Sequence, residues 1–177
     1  MRKIIYYVAT SIDGFISGEN EDISGFVQSG DLVDYFLNDL QNFDTVIMGR
    51  KTYEFGYKFG LQPGQPAYPH MWHFIFSDHL KLENADDKVK VCRMDLKKIK
   101  ELKNENGTAI YLCGGGEFAG WLLENEMIDE LKLKVNPLIL SSGVKMFGNN
   151  KKQYQLDLIA QQNFNGGLQI DQFKIYY

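Results

Sequence analysis

Ala109-Ile110-Tyr111-Leu112-Cys113-Gly114-Gly115-Gly116-Glu117-Phe118 is the stretch on which the fold turns. Five residues of an apolar run stop at three consecutive glycines, after which Phe118-Ala119-Gly120-Trp121-Leu122-Leu123 takes up helical apolar spacing. The pattern predicts a strand, a glycine turn and a helix. Such a corner exposes backbone N–H groups, and the helix N-terminus adds partial positive charge, so a pyrophosphate can approach it. The spacing is not GxGxxG, and the usual doubly wound dinucleotide fingerprint is therefore absent. Taken alone, the segment reads equally well as a tight turn without a ligand.

A second corner lies upstream. Thr45 to Met48 is an apolar strand closing on Gly49-Arg50-Lys51-Thr52-Tyr53, where a short helix begins. Arg50 and Lys51 supply positive charge and Thr52 a hydroxyl, a set suited to phosphate oxygens. Basic residues after a strand are commonly just solvated. Two glycine-led corners in one small sheet are more telling, because a dinucleotide laid across the carboxyl ends of parallel strands needs separated anion sites.

Between and around these corners, strand-like and helix-like segments alternate: Lys3 to Ala9, Leu32 to Leu40, His73 to Ser77, Val89 to Arg93 and Leu96 to Glu105. That order predicts an α/β domain with a mostly parallel sheet. The lysines of Leu96 to Glu105 are expected to face water. Tyr57 to Met71 contains Pro63, Pro66 and Pro69 and is expected to be a surface loop at the rim of a site. Leu131-Lys132-Leu133-Lys134-Val135 alternates with period two, and Tyr154 to Phe164 and Leu168 to Tyr177 flank Asn165-Gly166-Gly167, which predicts a closing antiparallel hairpin.

Composition sets bounds. The 177 residues, 44% hydrophobic and 24% charged, suit one globular domain spanning 1–177. A net charge of −4 without a block of like charge makes nucleic acid and anionic membranes poor partners. The chain shows neither a long apolar span nor a signal-peptide pattern at its start, so a cytoplasmic location is expected. Cys92 and Cys113 lie inside apolar runs and are expected to be small buried hydrophobes, not a disulfide or zinc pair. His70, His73 and His79 are too scattered for a metal set, and no metal is expected.

The two corners, Val46-Ile47-Met48-Gly49-Arg50-Lys51-Thr52-Tyr53 and Ile110-Tyr111-Leu112-Cys113-Gly114-Gly115-Gly116-Glu117, together resemble the cofactor segments of the dihydrofolate reductase superfamily. Ala9-Thr10-Ser11-Ile12-Asp13-Gly14-Phe15-Ile16, Met127 to Leu131, Asn136 to Leu140 and Met146-Phe147 resemble one branch of it: the reductase domain of riboflavin-biosynthesis deaminase-reductases and its stand-alone relatives. The resemblance implies a three-layer fold with helices on both faces, a homodimer, and NADPH as cofactor. It implies that Ala9 and Ile16 border the nicotinamide, Gly49, Arg50, Lys51 and Thr52 hold the adenosine side, Ser77 lies near the adenine ribose, and Gly114, Gly115, Gly116, Glu117 and Phe118 hold the pyrophosphate. Asp78, directly after Ser77, argues against a 2′-phosphate, whereas Arg50 and Lys51 argue for one.

For catalysis, a carboxylate in the cleft is the economical partner of an N–H-rich heterocycle. Asp31 and Asp34, at the start of the first helix, are the candidates, although acidic residues in a helix's first turn are stabilising there without any catalytic role, by about 0.3–1 kcal/mol. Asp13 precedes Gly14 in an ordinary turn pair, and the resemblance makes it a site-lining residue. Phe26 or Tyr35 is expected to lie against a planar substrate. The expected activity is hydride transfer from NADPH to a pterin- or aminopyrimidine-like compound, in the riboflavin branch the ribosyl carbonyl of an aminopyrimidine phosphate. No basic pair for that phosphate is evident, and no zinc-bearing deaminase segment is present. The alternatives are dihydrofolate reductase activity or a nucleotide-binding module without turnover.

Overall fold

A computed structural model describes all 177 residues. The chain forms ten strands: β1 (Ile4–Ser11), β2 (Phe15–Ser17), β3 (Thr45–Gly49), β4 (Trp72–Phe76), β5 (Val89–Cys92), β6 (Ile110–Gly114), β7 (Glu130–Asn136), β8 (Val144–Lys145), β9 (Gln155–Asn163) and β10 (Gln169–Tyr176). The helices are α1 (Asp31–Asp39), α2 (Arg50–Phe55), α3 (Leu96–Asn104) and α4 (Gly116–Glu124). Eight strands make one sheet in the order β5-β4-β3-β6-β1-β7-β10-β9. The first six run parallel, and β10 and β9 add the antiparallel hairpin at one edge.

Because side chains alternate across each strand, the sheet feeds two cores. On one face Ile4, Tyr6, Ile47, Ile110 and Leu112 pack against Ile99 and Leu102 of α3 and against Phe118 and Leu122 of α4. On the other, Ile5, Tyr7, Val46, Met48 and Tyr111 meet Leu32 of α1 and Tyr53 of α2. The result is the three-layer arrangement expected, with helices on both faces.

Two local readings change. The lysines of α3 do not all face water: Lys103 is buried, donating to the Met127 carbonyl at 3.0 Å and to Asp129 at 2.5 Å, because α3 lies against the turn that enters β7. The sequence also gave no sign of the two-stranded sheet β2–β8, in which two- and three-residue strands pair beside the first loop. Runs that short carry no periodicity to read. The proline-rich segment after α2 is irregular apart from a 3₁₀ turn at Gly56–Phe59. No helix is long and apolar enough to cross a membrane.

Candidate functional site

The sheet places β6 between β1 and β3, so the order of strands reverses direction around it, and in open α/β sheets ligands bind outside the carboxyl ends at such a point. A cleft of about 890 Å³ lies there. Ala9, Ile16, Ser77, Gly49 to Thr52 and Gly114 to Phe118 all line it.

The two glycine corners touch each other. A Cβ added to Gly115 would stand 2.9 Å from the Thr52 hydroxyl oxygen, and one added to Gly49 would stand 3.2 Å from the Phe118 Cβ. Lys51 and Glu117 close the rim across them at 3.3 Å. Gly116 has a different duty, since its side-chain direction is occupied by the Lys145 carbonyl, so a glycine is needed there for packing. Bare backbone therefore faces the cleft at Gly114 and Gly115, just where α4 begins.

The charges at this rim are already paired. Arg50 bonds Glu54 at 2.6 Å within α2, and both partners are partly exposed, as are Lys51 and Glu117. Exposed pairs of this kind are worth about 0–1 kcal/mol, so an incoming anion can take over either cation. The Ser77 hydroxyl accepts from the backbone N–H groups of His79 and Leu80 at 3.1 and 3.0 Å and so caps the turn after β4. Asp78 accepts from the Met94 N–H at 3.3 Å.

The three carboxylates singled out from the sequence do not line the cleft. Helix α1 turns Leu32 into the core and Phe36, four residues on, to the cleft, which leaves Asp31 and Asp34 on the solvent side. Asp13 accepts from the backbone of Leu140 and Ser141 at 3.1 and 2.8 Å and holds the loop after β7 against the loop after β1. Hydrogen bonding from Ser11, then from these amides, keeps its carboxyl below the ordinary range. Phe26 is buried outside the cleft and Tyr35 packs edge-on against Phe164, so the aromatic of α1 that faces the cleft is Phe36.

What sequence reasoning missed is the floor. Tyr68, Tyr111, Cys113 and Lys134 meet there, with the Tyr68 hydroxyl 3.8 Å from the Cys113 sulfur. Burial raises the Cys113 thiol and lowers the Lys134 ammonium to about 8, Cys113 opposing the latter shift. The Lys134 Nζ sits 3.3 Å from the centre of the Phe36 ring. In the sequence Lys134 is one of two lysines alternating along a strand, a pattern that looks like a solvent face; only the knowledge that α1 covers that face gives it away.

The sheet order, the helices on both faces and the cleft at the strand reversal define the class: an α/β domain of the dihydrofolate-reductase-like fold. The chain belongs to the RibD C-terminal domain family, whose model matches residues 2–170. It is 25% identical over 174 residues to the uncharacterized protein YyaP of Bacillus subtilis (strain 168), covering 94% of this chain and 92% of that one. Among solved structures, a putative riboflavin biosynthesis protein from Shewanella sp. PV-4 is similar with a TM-score of 0.83 at 22% identity, each chain covered in full. Dihydrofolate reductase from Enterococcus faecalis, complexed with NADP(H), is similar with a TM-score of 0.67 at 13% identity over 98% of this chain and 96% of that one.

Proposed function

We propose that the protein is an NADPH-dependent reductase of a small pterin- or aminopyrimidine-like compound, of the kind that reduces 5-amino-6-(5-phosphoribosylamino)uracil. The observation that carries the reading is the contact between the two glycine corners, Thr52 against Gly115, at the carboxyl edge of the sheet. The residues present fit a dinucleotide: Gly114 and Gly115 line the cleft at the N-terminus of α4, where backbone N–H groups and the helix end suit a pyrophosphate, and the Thr52 hydroxyl packs beside them. Gly114 and Gly115 would hold that group, Arg50, Lys51 and Thr52 the adenosine side, and Ala9 and Ile16 the nicotinamide. When bound, the reduced nicotinamide supplies a hydride. The protein's own part is to orient a flat substrate against Phe36 and to shield the reacting carbon from water. Arg50 and Lys51, freed from Glu54 and Glu117, favour the 2′-phosphate of NADPH. Asp78, bonded to the Met94 amide, opposes it less than its place in the sequence implies.

The test is thermal. At 100 times its dissociation constant NADPH should stabilise the native state by about 2.7 kcal/mol, and more than NADH at equal concentration. Gly115→Val should abolish that shift while the far-ultraviolet circular dichroism stays native. A melting temperature indifferent to both cofactors ends the reductase reading. Binding of NADPH without its oxidation by any pterin or aminopyrimidine would instead favour a nucleotide-binding module. For assembly, a second copy of this chain on β9 is the partner we propose.

A further inference from the structure

We propose that Lys134 is the substrate-recognition residue of the cleft and that it selects a ligand presenting a carbonyl or anionic oxygen, not the amino-rich edge that a carboxylate would select. The inference rests on the reductase reading for the identity of the neighbouring cofactor, but the recognition itself stands on geometry. Lys134 lies on β7 in register with Ala9 of β1, so its side chain emerges beside the strand end expected to border the nicotinamide. Its ammonium is held over the Phe36 ring, on the wall shared by the main cleft and an adjoining cavity of about 180 Å³ bounded by Val27, Leu32, Leu37 and Asn136.

The contrast with the other inward-placed lysines is what gives the position its meaning. Lys132, two residues earlier on the same strand, is paired with Asp39; Lys103 is paired with Asp129. Lys134 has neither a carboxylate partner nor a hydrogen bond from its ammonium, although it is the lysine that faces the cleft floor. A partly desolvated ammonium is costly without a counter-charge or acceptor, and the Phe36 face compensates only in part. The groups that surround it supply no anion: Tyr68, Tyr111 and Cys113 are neutral donors near neutral pH, and burial raises all three. The carboxylates that do line the cleft are engaged elsewhere, Glu21 with Lys58, Glu117 with Lys51 and Asp78 with the Met94 amide. The floor is therefore a set of hydrogen-bond donors around one cation, and the complementary ligand is an acceptor.

Two flat ligands of the same size separate the possibilities: 2,4-dioxopteridine, which offers carbonyl oxygens, and 2,4-diaminopteridine, which offers N–H groups. Binding is measured by fluorescence titration without any nicotinamide, so the readout does not depend on turnover. The dioxo compound should bind wild type at least tenfold more tightly than the diamino compound. Lys134→Met should remove that preference, Lys134→Arg should keep most of it, and NADPH affinity should be unchanged in both. Equal or inverted preference in wild type, binding of neither compound, or a preference that survives in Lys134→Met overturns the proposal. Should Lys134→Met not fold, the wild-type pair and Lys134→Arg decide. If wild type prefers the dioxo compound but binds no nicotinamide, the reductase reading falls and the recognition stands.

Discussion

His73 has no exposed surface, and both ring nitrogens are committed: Nδ1 donates to the Met71 carbonyl and Nε2 accepts from the Tyr68 N–H, each at 3.1 Å. The neighbouring Tyr68 ring stacks on the imidazole with centroids 5.9 Å apart. A proton on Nε2 would meet an N–H where it needs an acceptor, and burial lowers the folded pKa from 6.5 to about 4. Below pH 6.5 the unfolded chain therefore binds a proton that the folded chain refuses, so stability falls as pH falls and the loss is complete near pH 4. The shift corresponds to about 3 kcal/mol. Urea unfolding at pH 7 and pH 4.5 should show most of this loss in wild type, and His73→Gln, which keeps one donor and one acceptor, should show less of it. Equal pH dependence in the two proteins would place the acid sensitivity elsewhere. The same residue also marks a limit of sequence reading: a lone histidine entering an apolar strand reveals neither its tautomer nor its partners, because these come from the loop before β4.

At the scale of elements, the strands and helices were legible where periodicity runs long enough, as in β1, β6 and α1, and the strand-to-helix corners were legible because glycine has few other reasons to interrupt an apolar run. Faces were harder to read. Lys103 and Lys134 occupy positions whose pattern points to water, yet each is covered by an element remote in sequence, one by the turn after α4 and the other by α1. Asp31 and Asp34 show the opposite case: the helix forms where the pattern places it, but its phase sends Phe36 to the cleft and leaves both carboxylates exposed. The glycines within α4, Gly116 and Gly120, serve close packing. A Cβ at Gly120 would lie 2.5 Å from the Phe147 carbonyl oxygen, so α4 approaches the segment after β8 more closely than any side chain allows. Helix propensity alone predicts that Gly120→Ala stabilises the protein by about 1 kcal/mol. Overpacking against backbone costs about 1–3 kcal/mol and should win. Chemical denaturation should therefore find Gly120→Ala less stable than wild type, and a gain in stability would mean that the segment at Phe147 yields freely.

At the scale of the molecule, the sheet has two unlike edges. On one side β5 is four residues long. On the other, β9 runs for nine residues, every one of them exposed, and has a strand neighbour only in β10. Long free edges template further strands, and proteins normally shorten, charge or cover them. Leu156 and Leu158 lie opposite Ile175 and Phe173, which belong to the core beneath α3 and α4, so the apolar layer of that face continues outward past the last helix and ends uncovered. Leu156 and Leu158 are 42% and 54% exposed, and Ile159, the extra residue where the register shifts, is 49% exposed. One Asp, one Asn and three Gln residues are the strand's polar protection, and only the Asp carries charge. A second copy of this chain is the economical cover, since one surface patch then protects itself in a two-fold pair. Sedimentation velocity of wild type should accordingly give a dimer at micromolar concentration. Leu158→Arg, which adds charge at a site with no buried partner in the monomer, should give a monomer with native circular dichroism. A wild-type protein that sediments as a monomer, or a Leu158→Arg protein that remains a dimer, would leave the β9 face without this role.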